Sequence, residues 1–327
     1  MSPIGKALSL ALLTAFAAAG APTSVCAQAK FPNKTVRIIV GFAAGGGTDI
    51  FARLVASKMF PDSGQAIVVE NRVGGGGIIA TESVARGPAD GHTLLLVPFS
   101  TMVVNPAVYT RLPYDPIKDF IPISALSSYG YVMVANKTSG VKTVSDLVAY
   151  AKANPDKANF AGASAIYQLT NEVYKSVTGA PSQYITYKST TDSALGIMRG
   201  EALMSIGDAS PLIGPIQSGQ IIGISVTSTK RMAALPNLPT MAEAGFPKLE
   251  MAGGNGIFVA ANTPPNAVKA LEEEIIRIVK LPDVRERFAA LAAEPMGNTS
   301  AEFRELIKSE LKRWTEVANV ANIKIER

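Results

Sequence analysis

The sequence predicts an α/β protein whose two lobes enclose a ligand cleft. Strand-like and helix-like segments alternate almost throughout the chain, which favours mostly parallel sheets covered by helices. Two stretches, Ser127–Tyr131 and Glu250–Gly256, have the character of crossings between lobes. Two crossings return the C-terminal segment to the first lobe, so we expect lobe 1 to comprise 30–127 plus 256–327 and lobe 2 to comprise 128–255. Helix N-termini and the carboxyl ends of strands then face the cleft.

The first 29 residues are predicted to be a signal peptide. Lys6 supplies a positive charge, Ala7–Ala19 is apolar, and small residues up to Ala29 form a cleavage site. The apolar run is too short for a membrane-spanning helix, and no later segment approaches the ~20 residues required. We therefore expect export to the periplasm and removal of this leader. Cys26, the single cysteine, lies in it, so the mature chain is expected to have no disulfide and no cysteine–zinc site.

The remaining elements follow from residue patterns. Short runs rich in β-branched residues indicate strands, apolar residues at helical spacing indicate helices, and 113–122 is a proline-punctuated loop. Thr143 or Ser145 is expected to cap the helix that follows it. The predicted strands are 36–40, 66–70, 93–98, 131–135, 159–164, 182–187, 203–207, 221–228 and 257–260. The predicted helices follow Thr48–Asp49 and cover 78–86, 144–153, 167–177, 191–199, 211–218, 265–279, 283–292 and 301–321.

Composition excludes several classes of function. The 327 residues include 31 Lys and Arg against 26 Asp and Glu, a net charge of +5. These charges are mixed, and no basic run interleaves with aromatic residues, so we expect no nucleic-acid partner. His92, the single histidine, lies in a turn that enters a strand, where a structural role is expected. One histidine without cysteine partners does not make a zinc site, and we predict neither a metal nor a cofactor.

The most informative segment is Val36–Val55, which reads as a buried strand, a glycine-rich turn and the start of a helix. Such a turn lets the backbone approach a ligand, and the helix N-terminus offers unpaired N–H groups to an anion. Gly41, Gly46 and Thr48 have phosphate-loop spacing, but Gly47 stands at the lysine position, which argues against a nucleotide. The segment thus predicts a small anion held by backbone amides, with a tight turn that binds no ligand as the alternative.

Four polar residues near strand ends have two readings each. Asp49 either pairs with Arg53 and offsets the helix dipole, or orients the loop and reads a ligand group. Asp208 either caps a helix or meets a polar ligand group. Ser100 and Thr101 end a strand that faces the cleft, where hydroxyl groups suit ligand hydrogen bonds or a turn.

The chain resembles the Bug-type periplasmic substrate-binding receptors of tripartite tricarboxylate transporters. The resemblance rests on collinear segments that cover nearly the whole mature chain: VRIIVGFAAGGGTDIFARLVASKM, VVENRVGGGGIIATESVARGPADGHTLLL, YDPIKDFIPIS, ITYKSTTDSALGIMRGE, TSTKRMAALPNLPTMAEAGFP and EFRELIKSELKRW. It implies a type II periplasmic-binding-protein fold and no enzymatic activity. It also implies a small carboxylate ligand (a di- or tricarboxylate, an acidic amino acid or an aromatic carboxylate) that a monomeric receptor delivers to integral-membrane permease subunits.

The resemblance also places the ligand between two loops, 42–49 and 162–168. The sequence departs from the family pattern at Gln168, where a histidine or similar residue is common, and at Gly254, where an aromatic residue is common. Two other functions stay open: a receptor that signals to a membrane sensor, and a secreted hydrolase, which the lack of a G-x-S-x-G elbow disfavours. The predicted ligand-binding residues are Phe42, Ala43, Ala44, Gly45, Gly46, Thr48, Asp49, Ser100, Thr101, Ala163, Ser164, Ala165, Gln168 and Asp208.

Overall fold

The structure is a computed structural model that describes residues 31–320 and 322–326. The predicted signal peptide, its cleavage site and Cys26 lie outside the described residues. Within them the strands are β1 (Val36–Val40), β2 (Ile67–Asn71), β3 (Thr93–Pro98), β4 (Phe120–Asn136), β5 (Asn159–Gly162), β6 (Gln183–Thr186), β7 (Met204–Asp208), β8 (Ile221–Val226), β9 (Ala252–Ala260) and β10 (Ala293–Pro295).

Helices alternate with these strands over most of the chain. Thr143 caps one of them as predicted, because its hydroxyl accepts from the Asp146 amide and the Asp146 carboxylate accepts from the Thr143 amide. The α-helices are α1 (Gly47–Ala56), α2 (Ile78–Ala85), α3 (Phe99–Val103), α4 (Asn105–Val108), α5 (Val144–Ala153), α6 (Ala165–Thr178), α7 (Thr190–Arg199), α8 (Ala209–Gln217), α9 (Pro265–Val279), α10 (Pro282–Ala290) and α11 (Ser300–Val320).

The strands form one continuous path in the order β2-β1-β3-β9-β4-β7-β5-β6, with β8 and β10 also paired to β4. Pairs β1–β2, β1–β3, β5–β6 and β5–β7 are parallel. Every pair that includes β4 or β9 is antiparallel. The expectation of mostly parallel sheets was therefore wrong. Each half of the path is a parallel α/β unit, and the two long strands run against their neighbours.

The two stretches that the sequence predicts as crossings lie within strands β4 and β9. Ser127 pairs with Asn255 and Tyr129 with Gly253, so both crossing stretches lie inside one antiparallel ladder. The predicted strands 131–135 and 257–260 are only the ends of these longer strands. The missed portions contain prolines, serines and glycines, which have low strand propensity, and pairing between distant segments overrides that propensity.

Helix α11 closes the molecule over the crossing strands. Its buried residues recur at helical spacing, and Phe303 among them is fully buried. The Phe303 ring lies 5.1 Å from that of Phe258 and 5.5 Å from that of Phe99. A side chain at Gly256 would begin 2.3 Å from the Phe303 ring, so the glycine gives the ring its place. This contact fixes α11 on β9.

Replacement of Phe303 by alanine should destabilise the fold by about 3–5 kcal/mol, since it leaves a cavity between α11 and β9. Urea unfolding followed by circular dichroism measures this loss. Ser309→Ala, at an exposed position of the same helix, is the control and should change stability by less than ~0.5 kcal/mol. Equal stability of the two variants would show that the Phe303 contact does not anchor the helix.

Candidate functional site

Four helices of eight or more residues begin at one cleft of about 710 Å³, mouth included. Helix α1 comes from the first half of the chain, and α6, α7 and α8 come from the second half. Each helix directly follows a strand or the loop after it, so its N-terminus lies at the strand's carboxyl end. The cleft is lined by Phe42, Ala43, Gly46, Gly47, Thr48, Val73, Pro98, Ser100, Tyr129, Tyr131, Ala163, Ser164, Ile166, Tyr167, Lys188, Ser189, Thr190, Thr191, Asp208 and Pro211.

The glycine turn forms one wall of this cleft. Gly45 adopts φ +78°, a conformation that favours glycine, and the Gly46 amide donates to the Ala43 carbonyl at 3.1 Å. Gly47 is the first residue of α1, and its amide donates to no acceptor in the described part of the chain. The first N–H groups of a helix have no partner within the helix. The turn therefore presents free donors to the cleft, as the sequence predicted for an anion site.

Asp49 holds the turn from behind. Its carboxylate is 1% exposed and accepts from the Gly45 amide (2.9 Å), the Arg53 guanidinium (2.9 Å) and the Asn71 side chain (2.8 Å). Asn71 also donates to the Phe42 carbonyl at 2.9 Å. Burial alone would raise the pKa of Asp49, but the hydrogen bonds from Arg53, Gly45 and Asn71 outweigh it, and the pKa is lowered. Asp49 thus acts as a scaffold for the turn.

A second set of contacts ties the turn to the crossing strands. The Thr48 hydroxyl donates to the Asn255 side-chain oxygen at 3.3 Å, and the Asn255 amide donates to the Ser127 hydroxyl at 3.4 Å. All three residues are buried. The N-terminus of α1 is therefore fixed against both β4 and β9.

The opposite wall begins where β5 ends. Gly162 is crowded, since a side chain there would begin 2.6 Å from both Tyr167 and the Tyr184 hydroxyl. The Tyr184 hydroxyl donates to the Ser164 carbonyl at 3.1 Å and so fixes the turn before α6. Ser164 is the N-cap residue of α6, but its side chain makes no capping hydrogen bond. The Ser164 hydroxyl and the first amides of α6 are thus available at the cleft.

A third turn, before α7, was not among the predicted site residues. Lys188, Ser189, Thr190 and Thr191 all line the cleft. The Ser189 hydroxyl caps α7 by accepting from the Asp192 amide at 3.1 Å. The Ser-x-x-Asp pattern is a helix-start signal directly after a predicted strand, so the sequence did contain the information needed to find this turn.

The floor of the cleft contains one carboxylate and three tyrosines. Asp208 ends β7 and pairs with Tyr131 of β4 in the sheet. Tyr129 and Tyr131 have ring centroids 5.9 Å apart, and Tyr131 and Tyr167 have ring centroids 5.8 Å apart, with nearly perpendicular planes. Burial raises the pKa of Asp208 to about 6, and hydrogen bonds from Tyr167 and Thr190 act in the opposite direction.

The predicted ligand-binding residues divide between the cleft wall and its surroundings. Gly45 and Ala44 are exposed beside the wall, whereas Thr101 is buried with its hydroxyl 3.5 Å from the Gly76 carbonyl. Those that line the cleft are Phe42, Ala43, Gly46, Thr48, Ser100, Ala163, Ser164 and Asp208. Those outside the lining are Ala44, Gly45, Asp49, Thr101, Ala165 and Gln168.

Gly254, where the family commonly has an aromatic residue, does not line the cleft. A side chain at this position would begin 2.3 Å from the Phe99 ring and 2.4 Å from the Ser127 carbonyl oxygen. The Phe99 ring therefore fills the space beside Gly254, and neither residue belongs to the cleft lining. A glycine is required at position 254 because the Phe99 ring and the Ser127 carbonyl leave no room for a side chain.

His92 lies away from the cleft. It is 7% exposed, its ring centroid is 4.7 Å from that of Phe31, and its Nδ1 is 3.1 Å from the Asp90 carbonyl oxygen. This is the structural role that the sequence predicts.

Across residues 31–320 and 322–326, no group of three or more His, Cys, Asp or Glu side chains is placed to hold a metal ion. Over the same residues, no helix is long and apolar enough to cross a membrane.

The model of the tripartite tricarboxylate transporter family receptor matches residues 51–323. The chain belongs to this family. The receptor also resembles the solved periplasmic binding protein BugD, with a TM-score of 0.83 and 29% identity over 91% of this chain and 100% of that one. Its fold is thus the periplasmic-binding-protein fold that the sequence predicts, with two lobes and a cleft between them.

Two further solved structures of this fold contain carboxylates. Rpa4515 of R. palustris, solved with adipate, has a TM-score of 0.86 and 29% identity over 91% of the receptor and 100% of that chain. MatC from Rhodopseudomonas palustris, with bound malate, has a TM-score of 0.82 and 27% identity over 88% of the receptor and 99% of that chain. The receptor therefore belongs to a periplasmic solute-binding family whose related structures bind small carboxylates.

Replacement of Asp49 by asparagine should destabilise the receptor by about 1–3 kcal/mol at pH 7, because hydrogen bonds to a charged group are lost. The folded pKa lies below the unfolded value of about 3.9, so the contribution is complete above that value and is lost as the pH falls through the folded pKa. Urea unfolding of both proteins from pH 7 to pH 3 should show the difference narrowing below about pH 4.

Asp62→Asn is the matched control for this experiment, since Asp62 is exposed. It should change the free energy of unfolding by less than ~0.5 kcal/mol at every pH. A difference between Asp49→Asn and the parent that is unchanged at pH 3 would contradict the proposed scaffold role of the charge.

Proposed function

We propose that the receptor captures a small carboxylate in the periplasm and delivers it to a membrane permease. The observation that carries the proposal is the placement of helix N-termini from both halves of the chain at one cleft. Gly47, Ala165 and Thr190 are the first residues of α1, α6 and α7, and their amides donate to no acceptor in the described residues. Adipate and malate in the related structures support a carboxylate as the anion.

The proposed mechanism is backbone capture. One carboxylate oxygen accepts from the amides of the glycine turn, and the other end of the ligand meets the turns before α6 and α7. Each charge-assisted hydrogen bond of this kind contributes about 1.5–3 kcal/mol. The helix dipoles favour negative charge at the same place. Lys188, an exposed residue on the cleft wall, adds a positive charge.

The proposed lobes follow the crossing strands. Lobe 1 comprises 30–127 plus 256–327, and lobe 2 comprises 128–255. Ligand binding brings the two sets of amides together, and the closed monomer is the form that docks on the permease. The signal peptide proposed for residues 1–29 delivers the chain to the periplasm. The ladder between β4 and β9 supports this division, because it contains both boundaries.

A saturating carboxylate should raise the melting temperature of the receptor. At 100 times Kd, binding adds about 2.7 kcal/mol, which corresponds to roughly 5–10 °C for a chain of this size. A thermal-shift screen should include dicarboxylates, tricarboxylates, acidic amino acids and aromatic carboxylates. The neutral diamide of each dicarboxylate is the control and should give no shift. If no carboxylate raises the melting temperature, the proposal fails.

Gly47→Pro tests capture by the backbone. Proline is tolerated at the first position of a helix, and the extended Gly46 before it is compatible with proline, so the fold should persist while the amide donor is lost. The affinity for the carboxylate should fall by about tenfold or more, the value of one charge-assisted hydrogen bond. Isothermal titration calorimetry with the strongest ligand of the screen measures the change.

Gly47→Ala is the control for this substitution, because it retains the amide and its methyl group meets no atom within 4 Å. Its affinity should stay within about threefold of the parent, a change below 1 kcal/mol. Equal affinities for the proline and alanine variants would argue against a bond from the Gly47 amide.

A further inference from the structure

Asp208 is a carboxylate on the floor of the cleft, and it forms no ion pair within the described part of the chain. It accepts hydrogen bonds from two neutral hydroxyl groups, that of Tyr167 and that of Thr190, the latter at the long distance of 3.4 Å. No lysine, arginine or histidine of the described residues forms an ion pair with it. It occupies the N-cap position of α8, but its side chain makes no capping hydrogen bond. The helix-cap reading of the sequence therefore does not account for this residue.

Asp49, behind the cleft wall, has more and stronger hydrogen-bond donors than Asp208. Asp49 accepts from the Gly45 amide, Arg53 and Asn71, and it is buried behind the wall. Asp208 lines the cleft, is half-buried and has room in front of it. Its donors in the described residues are neutral hydroxyl groups, so a ligand can supply the charged donor that this carboxylate lacks.

Three aromatic rings surround the same place. Tyr129, Tyr131 and Tyr167 line the cleft with Asp208. Burial raises the pKa of Tyr131, and the negative charge of Asp208 raises it further, so the carboxylate and this ring interact electrostatically. Aromatic faces and a carboxylate are the groups that recognise an ammonium ion.

We propose that the cleft selects a carboxylate that also carries a protonated amine, with Asp208 as the partner of the amine. This inference rests on the proposed function, since the helix N-termini hold the carboxylate. A plain dicarboxylate places a second negative charge near Asp208, which is unfavourable at low solvent exposure. An amino acid with an acidic side chain satisfies the amides and Asp208 together.

The two ligand classes have opposite pH dependence. Because the pKa of Asp208 is about 6, it is mostly ionised at pH 7.5 and mostly neutral at pH 5.5. An ammonium ligand binds the ionised form, so its affinity should fall by about fourfold between these pH values. A plain dicarboxylate binds the neutral form better and should gain affinity.

The other titratable residues that line the cleft are Tyr129 and Tyr131 of β4, Tyr167 of α6 and Lys188 before α7; the described α8 has none.

The test is calorimetry with matched ligands at both pH values. The pairs are succinate and aspartate, glutarate and glutamate, and adipate and 2-aminoadipate, with malate added to the first pair. We expect the parent to prefer the amino acid by tenfold or more in at least one pair at pH 7.5. This preference should shrink at pH 5.5, and Asp208→Asn should remove both the preference and its pH dependence. Asp156→Asn, at an exposed position that does not line the cleft, should retain both.

Three results would overturn the inference. Plain dicarboxylates that bind as tightly as their amino acid partners at every length would show that Asp208 does not select an amine, while the proposed function would stand. A preference for malate over aspartate would assign a hydroxyl ligand instead. If no ligand of any pair binds, the inference fails, and so does the proposed capture of carboxylates of these chain lengths. Should Asp208→Asn not fold, the opposite pH trends of the parent decide the matter.

Discussion

The antiparallel ladder between β4 and β9 joins the two halves of the chain and sets the position of the cleft. Residues 127–130 pair with 252–255, so the two halves of the chain share hydrogen-bonded strands where they meet. Side chains of these two strands also build the cleft: Tyr129 and Tyr131 of β4 form its floor, and Asn255 of β9 holds Thr48. Without this ladder the two parallel units would not be held in a fixed relative orientation, and their helix N-termini would not face the same cleft.

This arrangement of strands and helices produces a cleft that is lined by few charged side chains. Parallel strands that lead into helices leave unpaired amides at their carboxyl ends, and the crossing strands bring two such sets together. The receptor then needs side chains mainly to hold its turns. Asp49 does this for the glycine turn, Tyr184 for the turn before α6, and Ser189 for the turn before α7. Asp208 differs from these residues because its charge is directed to the cleft instead of to the backbone.

Local patterns predicted much of this fold. Strand β3 and helices α5 and α9 have the predicted bounds, and the glycine turn precedes α1 as expected. Each of these depends on a short run of residues or on one cap. The lengths of β4 and β9 depend instead on pairing between residues more than a hundred positions apart, which no local pattern contains. The short helices α3 and α4 after β3 were missed for the same reason, since tertiary packing stabilises them more than propensity does.

The candidate site divides in a similar way. The glycine turn within 42–49 was predicted because glycines end a strand and open a helix, and the resemblance to the family placed the second loop at 162–168. Thr101 and Asp49 were assigned to the site by position alone, and the structure places both behind the cleft wall. Whether a side chain at a strand end points into the cleft or behind it depends on neighbours such as Asn71 and Gly76, which are distant in sequence. That no described residue forms an ion pair with Asp208 is likewise visible only in three dimensions.

In the proposed function, backbone amides from both halves of the chain hold one ligand. A ¹H–¹⁵N NMR titration with the tightest carboxylate observes these amides individually. We expect large downfield shifts of the amide protons of Gly47 and Thr48 in one half, and of Ala165, Ile166 or Thr190 in the other, all saturating at one ligand per chain. Shifts confined to one half, or to side-chain signals around Lys188, would show that the two halves do not hold the ligand together.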